Sequence, residues 1–264
     1  MIKDITIGQY IPGESFIHKL DPRTKILITF LFIISLFIVD KFVGYIFVVA
    51  FLALVVYVAK ISPRYLYKGL KPVFLLIVLT AILNIFMLRE GRLLFQLGFI
   101  KIYESGIKTA LFMAIRLILL IMGTSVLTLT TSPIELTDGI ERLLRPIGKE
   151  IAHELAMMMT IALRFIPTLT EETDKIMKAQ KARGTDFETG SLIQKAKSLV
   201  PLLVPLFISS FRRADELAMA MESRCYRGGE GRTRMKELHF SSKDLIAFII
   251  FGLLFISSFV VRFA

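Results

Sequence analysis

Apolar residues run in long blocks separated by short charged links. Ile26 to Val39 is apolar and is closed by Asp40 and Lys41; Phe42 to Ala59 follows and is closed by Lys60. The link is too short for anything but a turn, so the two blocks predict a helical hairpin. Pro72 to Leu88 is a third block, Thr109 to Leu129 a fourth and Leu245 to Val261 a fifth. A helix needs about 20 apolar residues to cross a bilayer, so the blocks predict five transmembrane helices, the first two on the short side. Between the third and fourth lies a mixed connection, Arg89 to Lys108, with a short apolar piece.

The stretch from Pro133 to Ser242 has a different texture. Ser132-Pro133 followed by Glu135 reads as a helix start, with proline at the first helical position. Ser198 to Phe211 is apolar but only 14 residues long and holds Pro201 and Pro205. As a helix it reaches roughly 21 Å, short of the ~30 Å hydrocarbon core. It is expected to lie in or dip into the membrane interface, as is Ile151 to Leu169, where Arg164 and Pro167 interrupt the apolar run. The block predicts three helices, over about 133–147, 151–183 and 191–226.

Composition fits this pattern. Of 264 residues, 55% are hydrophobic, mean hydropathy is +0.67 and net charge is +11. Of the 33 Lys and Arg, 17 fall between Pro133 and Ser242. Basic residues concentrate in cytoplasmic loops, which places this block and the N-terminus in the cytoplasm of a multi-pass protein of the inner cell membrane. The expected domains are an N-terminal transmembrane domain (1–131, four spans), a cytoplasmic helical module (132–242) and a C-terminal transmembrane helix (243–264), an all-α membrane protein. The basic block is amphipathic and Met-rich, without base-reading or stacking groups, so nucleic acid is not expected as a partner. The single cysteine, Cys225, permits no intrachain disulfide, and from the mixed polar start no signal peptide is expected.

Within the block, two segments repeat. Asp174–Gly184 reads DKIMKAQKARG and Asp215–Cys225 reads DELAMAMESRC. Shifted by 41 residues, Asp174 matches Asp215, Ala179 matches Ala220 and Arg183 matches Arg224. Each closes a long glycine-free run, the pattern of a helix ending near its arginine. Ile176, Ala179 and Arg183 share a narrow helical stripe, as do Leu217, Ala220 and Arg224. A lone cation in a last turn is accounted for by the helix dipole. Its recurrence at a fixed offset points instead to two equivalent contacts with a partner, an arginine meeting a carboxylate in a groove.

Other candidates are weaker. Arg116 falls within the fourth block, where a charge costs ~2.5–3.5 kcal/mol and usually faces the bundle or a cavity; it either marks a functional path or snorkels to the interface. Asn84 is expected to hydrogen-bond between helices. Met157, Met158, Met159, Met177, Met219 and Met221 make the middle helices Met-rich, which suits either adaptable contacts or ordinary filling. His18, His153 and His239 lack zinc-site spacing, and no cofactor motif is present. Without a G-x-x-x-x-G-K-[ST] stretch the chain has no phosphate-binding loop of its own. No apolar span holds a pair of carboxylates, and no catalytic cluster is visible, so neither an ion-coupled secondary transporter nor a membrane-bound enzyme is favoured.

The run GESFIHKLDPRTK (Gly13 to Lys25) resembles a signature of the T components of energy-coupling factor (ECF) transporters, as do LRFIPTLTEE (Leu163 to Glu172), Ala182-Arg183-Gly184 and MESRCY (Met221 to Tyr226). The resemblance covers the whole chain. It implies a non-catalytic membrane scaffold that joins two cytoplasmic ABC-type ATPases to a small membrane S component, which binds a vitamin or metal ion. It also implies two long crossing coupling helices, each docking an arginine in one ATPase. Ala182, Arg183 and Gly184 would form one docking motif and Ser223, Arg224 and Cys225 the other. The second lacks the usual glycine, and Arg227, in Tyr226-Arg227-Gly228, is a rival to Arg224.

Overall fold

The computed structural model describes residues 10–88, 90–97, 100–187, 191–229 and 237–263. Lys3 and the basic Arg232, Arg234 and Lys236, which enter the charge pattern, lie outside them. The described residues are mostly helical, and the chain divides into two compact units. One is Ile140–Lys236; the other is Gly8–Gly139 with Glu237–Ala264.

The second of these units holds the apolar helices α1 (Pro22–Ile38), α2 (Phe42–Ala59), α4 (Phe74–Met87), α5 (Glu104–Thr130) and α9 (Ser242–Phe263). The first helix starts earlier than the apolar run because Asp-Pro-Arg builds its N-terminus. Asp21 is the N-cap, its carboxylate accepts from the Arg23 backbone N–H, and Pro22 takes the first helical position. Buried Asp244, in the first turn of α9, accepts from the backbone N–H groups of Asp21 and Ser241, both at 2.8 Å, so one carboxylate ties the starts of two helices. Buried Lys25 donates to the carbonyls of His18 (3.1 Å) and Thr130 (3.0 Å), placing a cation at the C-terminal end of α5, where the helix dipole favours it. The apolar core is built by Phe32, Leu36, Val48, Leu52, Leu119, Val126, Phe251 and their neighbours. Gly123 lets α5 approach α1: a Cβ there would stand 2.4 Å from Phe32 Cε1.

The third apolar block is longer than the hydropathy alone suggests. The amphipathic helix α3 (Pro63–Leu70) runs through one 3₁₀ turn, Lys71–Val73, into α4. Among the described residues four stretches are long and apolar enough to cross a membrane: Phe42–Ala59, Pro63–Met87, Glu104–Thr130 and Ser242–Val261. The expected first span, α1, has 17 residues, roughly 26 Å of helix. The connection before α5 is a departure from an all-helical reading. Strands β1 (Leu93–Leu97) and β2 (Ile100–Tyr103) pair antiparallel with an irregularity between Leu93 and Phe95. With four and five residues, these strands are too short to produce a clear alternating pattern in sequence.

The other unit contains α7 (Lys149–Ala182) and α8 (Leu192–Ser223), and the division of the chain falls within α6 (Pro133–Leu144). α6 begins with a reciprocal capping box. The Glu135 N–H donates to Ser132 Oγ (3.2 Å), and the Ser132 N–H donates to the Glu135 carboxylate (3.4 Å). Ser191 Oγ caps α8 by accepting from the Gln194 N–H. Pro167 lies inside α7, and Pro201 and Pro205 lie inside α8, without ending either helix.

Candidate functional site

α7 and α8 pack antiparallel. Gln180, near the end of α7, donates to the Pro201 carbonyl in the first half of α8 (3.3 Å), and His153, near the start of α7, meets Tyr226 just past the end of α8 (3.2 Å). Midway, Glu172 joins both helices: Ser209 Oγ donates to Oε1, and Arg213 Nη2 donates to Oε2 at 2.8 Å. These bonds hold the Glu172 carboxyl below its usual range, the Ser209 hydroxyl first and Arg213 next.

Glu172 and Arg213 are 41 residues apart, the offset of the sequence repeat. Equivalent positions of the two helices therefore meet here, which places a local pseudo-two-fold axis at the ion pair. Arg183 lies 11 residues past Glu172 (183 − 172), and Arg224 lies 11 past Arg213 (224 − 213). At 1.5 Å per residue each is roughly 16 Å from the axis, on opposite sides.

The two helix ends are built alike. α7 ends at Ala182 with Arg183 as C-cap (φ −86°, ψ 5°); α8 ends at Ser223 with Arg224 as C-cap (φ −92°, ψ 12°). Gly184 follows at φ 89° and Cys225 at φ 56°, both left-handed. The Gly184 N–H donates to Lys181 O and the Thr185 N–H to Gln180 O; the Cys225 N–H donates to Glu222 O and the Tyr226 N–H to Met221 O. This is one pattern twice, the paired hydrogen bonds of a left-handed C-cap. Cys225 thus holds at the α8 end the left-handed position that Gly184 holds at the α7 end. Arg227 lies beyond the cap, so Arg224 is the structural counterpart of Arg183. Both arginines are exposed, and their stripes match: Ile176 and Leu217 are half-buried, while Ala179 and Ala220 are exposed.

The surroundings of the two caps differ. Tyr226 is fastened through His153: an Nδ1–H donated to buried Glu141 (3.4 Å) leaves Nε2 to accept from the Tyr226 hydroxyl (3.2 Å). Gly229 lies against the same ring, where a Cβ would come within 2.9 Å of His153 Cδ2. Around Gly184 a Cβ would meet nothing within 4 Å. Beside Arg224 a groove of about 830 Å³ opens, floored by Met157, Ile161, Phe165, Leu217 and Met221 and edged by Arg164, Arg224 and Arg227.

The remaining candidates fall into place individually. Arg116 donates to the Tyr45 hydroxyl and the Val39 carbonyl, both at 3.1 Å, stands 3.8 Å from Asp40 and lies over the Phe37 ring. It thus fastens α5 to the turn between α1 and α2. Asn84 donates to Thr80 O of its own helix (2.8 Å) rather than to a neighbouring one; its side chain returns to a carbonyl that the 3.6-residue turn brings within reach. Met158 and Met219 are exposed, and Met157, Met159, Met177 and Met221 are half-buried. Among the described residues no three His, Cys, Asp or Glu gather as a metal site. Sequence reasoning overlooked Glu172, Ser209, Arg213 and the Tyr226–His153–Glu141 chain. The 41-residue offset was the available signal for the first pair, since it equates Glu172 with Arg213.

Residues 13–235 match the family described as CbiQ, cobalt transport protein. A protein of Clostridium kluyveri named energy-coupling factor transporter transmembrane protein EcfT is 68% identical over 250 residues, 94% of this chain and 93% of its own. Proteins of the same name from Thermosediminibacter oceani and Bacillus subtilis are 61% and 50% identical, over 99% and 92% of this chain and 99% and 93% of their own.

Proposed function

The chain belongs to the CbiQ family of cobalt transport proteins and is the transmembrane T component of an energy-coupling factor transporter; from that premise we propose that its two matched helix ends each dock one cytoplasmic ABC-type ATPase. The scaffold carries no catalytic step of its own; ATP is hydrolysed by the partners. The supporting observation is the repeated C-cap with an exposed arginine at Arg183 and at Arg224, equally distant from the Glu172–Arg213 axis. Ala182 and Gly184, and Ser223 and Cys225, shape the two caps.

In this reading the protein is a multi-pass component of the inner cell membrane with a cytoplasmic N-terminus. Helix α1 is its fifth span, and the helices of the 132–242 block form the coupling module. ATP binding draws the two ATPases together, and each pulls one helix by its arginine. Because the helices are joined at Glu172–Arg213, the ends move about that point. The apolar face of α8 (Val200, Leu203, Val204, Phe207 and Phe211 are all exposed) then changes its grip on a small membrane S component, which releases a vitamin or metal ion inside. The coupling free energy comes from contacts that differ between the two ATPase states. Arg116 takes a structural part.

Affinity purification of the tagged chain from its native membrane tests this. The expected result is co-purification of ATPases in two copies together with a small apolar subunit. A chain that purifies alone and supports substrate uptake alone in proteoliposomes would be a stand-alone transporter, and the proposal would fail.

A further inference from the structure

The pseudo-two-fold axis allows the two docks to be compared position by position, and their chemistry diverges. At the α8 end, Arg164, Arg224 and Arg227 edge the groove beside the cap, its floor is apolar, and among the described residues no carboxylate lines it. Among the described residues none of the three has a recorded hydrogen bond or ion pair through its guanidinium. Shifted by 41 residues, the counterpart of Arg164 is Pro205 and that of Arg227 is Asp186. The α7 end therefore has one arginine and one aspartate where the α8 end has three arginines. The backbone and the docking arginine repeat; the charge beside them does not.

Three guanidinium groups around an apolar floor suit a segment that carries both carboxylates and an apolar side chain. Such charges steer and orient an acidic partner, while the Met and Phe floor adapts to an inserted side chain. We propose that this groove is a second element of the α8 dock, receiving an acidic, apolar-bearing segment of one ATPase, with Arg164 and Arg227 binding its carboxylates alongside Arg224. The inference rests on the ATPase-docking reading above. It makes the α8 contact two-sided: Arg224 enters the ATPase, and the ATPase enters the groove. The α7 contact has the first half only. The Tyr226–His153–Glu141 chain fits this role, because it fixes the wall on which Arg224 and Arg227 stand.

The test uses the full complex in detergent and in vesicles with and without anionic lipid. Arg164→Glu with Arg227→Glu, and the milder Arg164→Gln with Arg227→Gln, are compared with Arg183→Ala and Arg224→Ala, with gel filtration confirming the fold. The proposal expects the charge reversal to weaken ATPase retention roughly tenfold, the neutral pair to weaken it less, and the parent complex to lose retention with rising salt more steeply than either variant. Unchanged retention in the reversal variant, while Arg224→Ala still releases ATPase, would overturn the groove and leave the docking reading standing. No loss from Arg224→Ala or Arg183→Ala would overturn the docking reading itself. A loss seen only in anionic vesicles would assign the groove to lipid headgroups and overturn it as an ATPase contact.

Discussion

Cys225 holds a backbone conformation that glycine holds at the equivalent position, and this gives a measurable consequence. At φ 56° a residue with a Cβ costs roughly 1–2 kcal/mol, and a β-branched residue is more strained still. Cys225→Val should therefore open the cap that orients Arg224. Cys225 already carries the Cβ cost, so the full 1–2 kcal/mol falls on a glycine-to-valine change at the equivalent cap, roughly a 5–30-fold drop in the ratio of capped to open ends, and Cys225→Val adds only the strain of the branch. Cys225→Gly removes the strain and adds only about 0.4–1 kcal/mol of unfolded-chain entropy, so it should hold the cap at least as well as the parent. The assay is ATPase affinity for the purified scaffold, measured by titration, with Gly184→Val (φ 89°) as the matched change at the other end. Both Val variants should weaken binding and Cys225→Gly should stay within about twofold of the parent. Normal binding by Cys225→Val, or a marked loss in Cys225→Gly, would refute the idea that the left-handed cap places the arginine.

Three further outcomes are expected. A double-mutant cycle on Glu172→Gln and Arg213→Gln should show a coupling of about 0.5–1 kcal/mol, the range for part-exposed pairs; because the Glu172 carboxyl is held below its ordinary 4.5, its contribution is complete above that value and is lost as pH falls through the lowered one, so thermal melts should show the α7–α8 contact loosening only in acid. Gly123→Leu should lower the melting temperature of the detergent-solubilised protein by the equivalent of ~1–3 kcal/mol, since even its Cβ meets the Phe32 ring. Lys25→Met leaves two buried carbonyls, those of His18 and Thr130, without their donor and should cost about 1–3 kcal/mol in the same assay.

The membrane class was legible because apolar blocks of bilayer length admit few alternatives, and the three helices of the middle block were legible because Ser132-Pro133, Ser191 and Gly184 mark their ends. The repeat showed that Arg183 and Arg224 belong together. What the sequence could not show was the placement that makes them equivalent: the meeting of Glu172 and Arg213 depends on the antiparallel packing of two helices, not on either helix alone. The β1–β2 hairpin was missed because its strands are shorter than the pattern needed to see them. The start of α1 was misplaced because a charged first turn, Pro22 to Lys25, is polar in sequence yet Thr24 and Lys25 are buried, Lys25 with a hydrogen bond to the Thr130 carbonyl, 105 residues away. Arg116 reads as costly in a sequence, but Tyr45, Val39 and Asp40, 71 to 77 residues away, supply its partners.

The central claim is that two arginine caps transmit ATPase motion through one jointed helix pair. Its most direct measurement is substrate uptake and ATP hydrolysis, side by side, in proteoliposomes holding the complex with Arg183→Ala plus Arg224→Ala. Truncating one partner of a docked charge pair costs ~2–5 kcal/mol, so the account predicts a scaffold that inserts normally, loses its ATPases or hydrolyses ATP without uptake. Retention of both ATPases with normal ATP-driven uptake would contradict it.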